Sequence, residues 1–128
     1  MGLLDSTVLI DYLRGRRAAD RVDALLDAGE TLATTGINVE EIARGLRGNE
    51  QEPAEALFSG LFVIPVGAKE GWLAGAWRRK AAAAGVTMTQ ADCLIAAAAV
   101  TAGARLATGN PKDFESMPAP LEHWPVGQ

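Results

Sequence analysis

The sequence predicts an α/β fold in which a parallel sheet is covered by helices on both faces. Short apolar segments typical of strands alternate along the chain with longer segments in which apolar residues recur at helical spacing. The helical segment 90–103 is apolar on nearly all sides and must therefore be buried. With 128 residues, 48% of them hydrophobic, the chain is expected to form one domain, 1–128, with a sizeable core.

The predicted elements follow one another in a regular order. Leu3 and Leu4 form a short first strand, and helical spacing follows it up to Gly15. Further strands are predicted at 30–35, 61–66, 104–108 and 121–124. Further helices are predicted at 18–28, 38–47, 53–60, 68–84 and 90–103. The segment 61–66, "LFVIPV", is predicted to be a buried strand that ends at Pro65.

Composition excludes some classes of protein and leaves others open. The net charge of −4 gives no indication of a nucleic-acid partner, although a carboxylate-lined site would itself lower the charge. The single cysteine, Cys93, excludes an internal disulfide framework and fits a reducing compartment. The longest apolar run, 93–100, is far too short to span a membrane, and no signal peptide is indicated. We therefore expect a cytoplasmic protein.

Acidic residues fall where predicted strands end or the following helices begin. Asp5 ends the first strand, and Asp113 follows the strand at 104–108. Glu41 and Asp92 lie in the first turns of two predicted helices. Because ligands of parallel α/β sheets bind beyond the carboxyl ends of the strands, these acids from separate segments can converge on one crevice.

Each of these acids also has a purely structural interpretation. Asp5 can cap the helix that follows it, and Asp113 can cap a short turn. The segments 38–41, "NVEE", and 89–92, "TQAD", both resemble capping boxes, which are worth about 1 kcal/mol and need no chemistry. Any single acid is explained as well by capping as by a site, so the interpretation depends on the pattern of all of them.

Asp92 is the most informative acid of the set. It opens a helix that has essentially no polar face before Thr101, and no Lys or Arg lies near it in the sequence. A buried carboxylate is costly unless a positive charge compensates it. Mg²⁺ or Mn²⁺, which prefer carboxylate oxygens and retain several waters, would supply that charge.

The sequence resembles the PIN domain family, in particular the VapC-type ribonuclease toxins of prokaryotic toxin–antitoxin pairs. The resemblance covers nearly the whole chain and is weakest over 48–88. It rests on "LLDSTVLIDYLRG" at 3–15, "INVEEIARGLR" at 37–47, "TQADCLIAAAAVTAGARLAT" at 89–108, "TGNPKDFE" at 108–115 and the terminal "LEHW". It implies a three-layer α/β/α sandwich with a parallel sheet of about five strands. It also implies Mg²⁺- or Mn²⁺-dependent endonucleolytic cleavage of RNA, a homodimer, and inhibition within a hetero-oligomer by a cognate VapB-type antitoxin.

The resemblance assigns roles to the acids. Asp5 and Asp92 match the first and third acids of the family, which are the principal metal ligands. Glu41 matches the second, because it precedes an aliphatic residue and then a glycine in "EIARG". Its neighbour Glu40 does not fit that frame and is expected to face solvent. Asp113 matches the fourth acidic position.

The implied mechanism is hydrolysis by a water that the metal activates for in-line attack on the scissile phosphate. The second and fourth acids complete the ligand set, position water or hold a second ion, and the sequence does not choose between one metal and two. Ser6 or Thr7, Thr108 and Asn110 resemble the polar residues that surround the acids. Asn110 is also an alternative to Asp113 for reaching the site, directly or through water.

Basic residues form clusters at 14–21, 44–47 and 78–80. Arg44 and Arg47 share a predicted helix with Glu41, so they are candidate contacts to RNA phosphates, with a solvated helix face as the alternative. We also expect a partner to cover part of the surface formed by 14–21 and 72–77. That expectation predicts an exposed apolar groove in the isolated chain.

Other functions fit the sequence less well. A receiver domain that accepts a phosphoryl group has a similar length and sheet, but it needs an acid pair after the first strand and an acid at the end of a central strand. Here "LLDST" carries one acid and "LFVIPV" carries none. A catalytically silent PIN-like binding module is disfavoured because all the acidic positions are filled. A nuclease that cleaves DNA remains open on the residues alone.

Overall fold

The protein, described by a computed structural model over residues 1–128, contains a five-stranded sheet with helices on both faces. All neighbouring strands are parallel, in the order β3-β2-β1-β4-β5. The strands are β1 Gly2–Leu4, β2 Leu32–Thr35, β3 Phe62–Ile64, β4 Arg105–Thr108 and β5 Leu121–His123. The helices are α1 Ser6–Leu13, α2 Ala19–Asp27, α3 Gly36–Arg44, α4 Gln51–Ser59, α5 Ala68–Ala83 and α6 Gln90–Ala102, with a 3₁₀ turn at Pro111–Asp113. The predicted fold class is therefore confirmed.

Alternation along the strands divides the core into two layers. Successive side chains of a strand point to opposite faces of the sheet. Leu3 and Leu106 face a cluster that includes the buried residues of α5 and α6. Leu4 and Ala107 face the other cluster, formed with residues of α1, α2, α3 and α4. The sheet is thus covered on both faces, as the nearly continuous apolar character of its strands requires.

Helix α6 is held by local signals at both ends. The hydroxyl of Thr89 accepts a hydrogen bond from the backbone N–H of Asp92, and Gly103 ends the helix with a φ of 66°. Between them, 95–99 are fully buried. Four of these residues are alanines, whose small side chains let the helix pack closely against its neighbours. The cap at Thr89 fixes where Asp92 lies.

The prediction that 61–66 forms a buried strand is wrong in its burial. β3 is an edge strand that pairs only with β2, and Phe62 and Val63 are 53% and 42% exposed. Only Ile64 of the strand is buried. A short apolar run does not distinguish a central strand from an edge strand, because the strand order is set by the rest of the fold.

None of the helices combines the length and the apolar character that crossing a membrane requires.

Candidate active site

Asp5 lies at the carboxyl end of the central strand β1, directly before α1. Its backbone N–H donates to the carbonyl of Ala107 at 2.9 Å, which extends the pairing with β4. The side chain is 5% exposed and makes no capping hydrogen bond to α1. Its Oδ2 accepts hydrogen bonds from the hydroxyls of Thr108 at 2.8 Å and Thr7 at 3.0 Å. Burial raises the pKa of Asp5, although these hydroxyls act in the opposite direction.

The two threonine hydroxyls are themselves fixed by the loop after β4. The N–H of Gly109 donates to Thr7 Oγ1 at 2.8 Å, and the N–H of Asn110 donates to Thr108 Oγ1 at 3.0 Å. Each hydroxyl oxygen therefore accepts a hydrogen bond from a backbone N–H and donates its own proton to the carboxylate of Asp5. The loop, the two hydroxyls and Asp5 form one hydrogen-bonded unit.

Glu41 is held by a second chain of hydrogen bonds. Ser6 Oγ donates to Glu41 Oε1 at 2.8 Å, and the amide of Asn38 donates to Ser6 Oγ at 3.0 Å. The predicted capping box that begins at Asn38 is wrong. The box begins three residues earlier, at Thr35, whose hydroxyl accepts from the N–H of Asn38. α3 therefore starts earlier than predicted, and Glu41 is not part of its cap.

Asn38 is a residue of the site that the sequence did not indicate as functional. It is fully buried, and its Oδ1 accepts hydrogen bonds from the hydroxyl and the backbone N–H of Thr35. Its Nδ2 is thereby directed toward Ser6. From the sequence, an Asn at the predicted start of α3 indicates only a helix cap. Its contact with Ser6 could not be predicted, because that contact depends on the packing of α1 against α3.

The pKa of Asp92 is affected by the charges of the other three acids. Asp92 lies half-buried in the first turn of α6. Burial raises its pKa most, and the negative charges of Asp113, Asp5 and Glu41 raise it further. The other three carboxylates therefore lie within electrostatic range of Asp92 near the carboxyl edge of the sheet. None of the four acids forms an ion pair with a basic side chain.

Asp113 ends the 3₁₀ turn and is exposed. Its Oδ2 accepts a hydrogen bond from the side-chain amide of Asn110 at 3.0 Å. Asn110 also donates its backbone N–H to Thr108, so it joins the fourth acid to the hydrogen-bonded unit around Asp5. The two candidates for the fourth position are thus direct neighbours.

The donor set fits a hard divalent cation, although its carboxylates are not drawn together. No group of three or more His, Cys, Asp or Glu side chains is spaced to hold a metal ion as it stands. The carboxylates of Asp5, Glu41 and Asp113 are each engaged by different hydroxyl or amide donors. The carboxylates of Asp5, Glu41, Asp92 and Asp113 nevertheless form no ion pair within the chain, and carboxylate oxygens are the ligands that Mg²⁺ and Mn²⁺ prefer.

Arg44 and Arg47, the two candidate contacts to RNA phosphates, differ in whether they already form an ion pair. Arg44 forms an exposed ion pair with Glu40 at 3.0 Å, and Glu40 faces solvent as expected. Arg47 makes no ion pair and lines a depression with other arginines. Of the two candidate phosphate contacts, Arg47 is the one with an unpaired side chain.

Comparison with known proteins identifies the class of protein that this fold and crevice define. The PIN domain family model matches residues 2–119. The chain is 32% identical over 119 residues to ribonuclease VapC19 of Mycobacterium tuberculosis, with 92% of this chain and 95% of that protein covered. The chain therefore belongs to the PIN domain family.

Solved structures narrow the class to the VapC type. The chain superposes on VapBC2 of Rickettsia felis, bound to a promoter DNA fragment, with a TM-score of 0.80 and 25% identity over 95% of this chain and 97% of that one. VapBC-1 of nontypeable Haemophilus influenzae gives a TM-score of 0.78 at 25% identity, with 95% and 96% covered. Within the family, the chain is of the VapC type, as the sequence motifs predicted.

Proposed function

We propose that this protein is the endoribonuclease toxin of a VapBC-type toxin–antitoxin pair and that residues 1–128 form a single nuclease domain. The proposal is supported by the placement of Asp5, Glu41, Asp92 and Asp113 on segments that begin at the carboxyl edge of the sheet, near enough for the other three acids to raise the pKa of Asp92, and by the absence of an ion pair to any of them. The name of the M. tuberculosis relative supports the reaction class. The single cysteine, which is free, supports action in the reducing cytoplasm.

The acids have distinct roles in this proposal. A bound Mg²⁺ or Mn²⁺ supplies Lewis-acid activation of the scissile phosphate and of a water nucleophile. Asp5 and Asp92 would hold the ion, because they match the principal metal ligands of the family, burial raises the pKa of both, and neither forms an ion pair within the chain. Glu41 and Asp113 complete the ligand set or orient the attacking water.

Polar neighbours position these carboxylates. The hydroxyls of Thr7 and Thr108 fix the orientation of Asp5, and Ser6 fixes that of Glu41. Asn38 acts one step further away as a positioning residue, because its amide orients Ser6. Such supporting hydrogen bonds hold metal ligands in a productive orientation and change metal affinity by about 10- to 100-fold.

Two exposed apolar features support the proposed partners. A depression of about 460 Å³ lies between α1, α2 and α4, and most of its lining is apolar, including Tyr12, Leu26 and Leu57. It includes Gly15 and Ala19 of the predicted partner surface but no residue of 72–77, and the related VapBC structures support a VapB-type antitoxin as its occupant. On α5, Trp72 is 82% exposed, which supports burial against a second copy in a homodimer.

The alternatives have less support. A receiver domain needs an acid pair after the first strand and an acid at the end of another central strand. Here β1 is followed by Asp5 alone, and β2 and β4 end in Thr35 and Thr108. A silent binding module leaves the uncompensated carboxylates without a role. Cleavage of DNA is a closer alternative, because the acids would act on the phosphodiester group, which DNA and RNA share.

The test is cleavage of total RNA by the purified protein with Mg²⁺ or Mn²⁺, compared with EDTA and with the Asp92→Asn variant. Glu40→Gln is the matched control, because Glu40 is an exposed acid on the same helix as Glu41 but outside the crevice. We expect metal-dependent cleavage that Asp92→Asn removes and Glu40→Gln retains. Equal activity of the wild type and Asp92→Asn would contradict the proposed site, and cleavage of a DNA substrate instead would replace the proposed substrate.

A further inference from the structure

A basic groove of about 650 Å³ lies beside the candidate active site. Its lining is entirely without hydrophobic residues. The residues that line it are Arg14, Gly15, Arg16, Arg17, Arg47 and Gln128. Four arginines thus surround one groove in a chain whose net charge is −4.

Most of the positive charge in the groove has no internal partner. The side chains of Arg16, Arg17 and Arg47 form no ion pair within the chain. Arg14 is the exception, since its Nε donates to Glu50 at 3.3 Å. Like charges held together in this way repel one another, so an anion that enters the groove gains the attraction of all of them.

Hydrogen bonds to the backbone hold the segments that carry Arg16 and Arg17. The buried carboxylate of Asp11 accepts hydrogen bonds from the N–H groups of Ala18 at 2.6 Å and Gly127 at 2.9 Å. The N–H of Arg16 donates to the carbonyl of Asp11, and the N–H of Arg17 donates to the carbonyl of Gly127, both at 2.9 Å. These bonds fix the loop between α1 and α2 against the C-terminal segment.

Glu50 forms hydrogen bonds with both Arg14 and Arg47, which line the groove. One of its carboxylate oxygens accepts from the Arg14 side chain, and the other accepts from the backbone N–H of Arg47 at 2.7 Å. The arginine-bearing segments are therefore held in place before any ligand binds. Side chains presented from such a fixed frame lose less conformational entropy on binding than side chains of a mobile loop.

The groove adjoins the candidate active site through Arg14. A second depression, of about 340 Å³, is lined by Arg14 together with Ser6, Thr7 and Glu41. Arg14 therefore borders both depressions. A polymer whose scissile phosphate lies at the acids can pass Arg14 and place its neighbouring phosphates among the other arginines.

We infer that this groove binds the backbone phosphates of the RNA on one side of the scissile bond. The inference rests on the proposed function and names the part of the surface that holds the substrate. Arginine pairs with phosphate in bidentate geometry, and such contacts supply most of the affinity of a nucleic-acid complex without reading its sequence. An apolar helix of a protein partner has nothing to pack against in this groove, because none of its lining is hydrophobic.

The arginines that would attract RNA and the acids that would bind metal lie in different parts of the surface. The four acids would repel a phosphate backbone, whereas the arginines a short distance away attract it. Arg44 is expected to contribute little, because Glu40 already neutralises it on an exposed helix face. Arg47 is expected to contribute more.

The test measures binding of a fluorescein-labelled RNA hairpin of mixed sequence by anisotropy, in EDTA and over a range of salt concentrations. The parent protein is Asp92→Asn, so that binding is followed without cleavage. The groove variant adds Arg16→Ala and Arg17→Ala, and a second variant adds Arg47→Ala. These side chains make no ion pair in the folded chain, so unchanged thermal unfolding is expected and serves as the check on folding.

The matched control adds Arg79→Ala and Lys80→Ala, which remove the same charge from exposed positions near the end of α5. We expect the groove double variant to bind the hairpin about tenfold more weakly and to lower the slope of log Kd against log salt concentration by about 1 to 2. The control should change neither quantity by a comparable amount.

Equal losses in the groove variant and the control, or no loss in either, would overturn the inference. So would a groove variant that binds the hairpin normally but loses affinity for poly-glutamate, since that result assigns the groove to an acidic protein segment. Because binding is measured without metal or cleavage, failure of the proposed nuclease reaction is scored separately, by the cleavage assay with otherwise wild-type protein.

Discussion

Asp5 and Glu122 lie on either side of β4 and have opposite surroundings. Glu122, in the edge strand β5, accepts hydrogen bonds from the Trp124 indole at 2.8 Å, Arg21 at 2.7 Å and Arg105 at 3.2 Å. The indole lowers the pKa of Glu122 most, and the two arginines lower it further. Asp5 is more deeply buried, its carboxylate is hydrogen-bonded by the Thr108 and Thr7 hydroxyls and forms no ion pair, and burial raises its pKa.

The presence or absence of arginine partners distinguishes an acid that stabilises the fold from one that does not. The chain provides Arg21 and Arg105 for Glu122, and Arg21 also stacks on Trp124 at 4.0 Å from the ring centroid. It provides no arginine or lysine for Asp5. Glu122 is therefore compensated within the chain, whereas the charge of Asp5 is not, so a cation bound from outside would stabilise it.

The largest expected effect is on the rate of RNA cleavage, which should differ between variants of Asp5 and Glu122. We predict that Asp5→Asn lowers the rate of metal-dependent RNA cleavage by more than about a hundredfold, because residues that merely support metal ligands already contribute 10- to 100-fold. Glu122→Gln removes a carboxylate of the neighbouring region and should leave the rate nearly unchanged. Both variants are compared by initial rates at saturating Mn²⁺. Similar losses in the two variants would show that the distinction between the acids is wrong.

A smaller effect is expected from the hydroxyl that orients Asp5. Thr108→Val is nearly isosteric, but it removes the 2.8 Å hydrogen bond to Asp5 and the acceptor for the N–H of Asn110. We predict a loss of Mn²⁺ affinity of about 10- to 100-fold, measured by calorimetric titration. Thr34→Val is the matched control, because Thr34 is equally buried and its hydroxyl bonds only the carbonyl of Leu4. A Thr108→Val protein that binds Mn²⁺ like the control would exclude this positioning role.

The alternation of strands and helices could be predicted from the sequence because it follows from local periodicity. The helix predicted at 90–103 is observed at Gln90–Ala102, and the strand predicted at 104–108 is observed at Arg105–Thr108. Periodicity also implied the crevice, since Asp5 and Asp113 follow strands whose carboxyl ends meet at one edge.

The features that could not be predicted depend on contacts between distant segments. The edge position of β3 depends on strand order, which an apolar run does not encode. The hydrogen bonds from Asn38 through Ser6 to Glu41 join α1 to α3 and have no local signature. The buried Asp11 binds the loop after α1 to the C-terminal segment across 116 positions of sequence, so its role becomes visible only in the folded chain.

The difference between Asp5 and Glu122 can also be tested by measuring the stability of the protein, without catalysis. Because the pKa of Asp5 is raised above its ordinary value of 3.8, the folded protein holds a proton over a pH range in which the unfolded chain has lost it. The free energy of unfolding therefore falls as pH rises through that range and is lower above it than below it. Asp5→Asn should raise the Tm by a few degrees at neutral pH in EDTA, with the gain disappearing below pH 3.8. Mn²⁺ should stabilise the wild type and reduce the gain. A lower Tm for the variant at neutral pH would contradict this sign.

The smallest expected effect has the opposite sign. The pKa of Glu122 is lowered from 4.5, so its contribution to stability is fully present above pH 4.5 and is lost as pH falls through the pKa of the folded state. Its arginine partners are 46% and 62% exposed, so solvent screening limits each pair. We predict that Glu122→Gln lowers the free energy of unfolding by about 0.5–1 kcal/mol at neutral pH, measured by urea denaturation. High salt should reduce that difference. If Glu122→Gln and metal-free Asp5→Asn shifted stability in the same direction, internal compensation would not be what distinguishes the two acids.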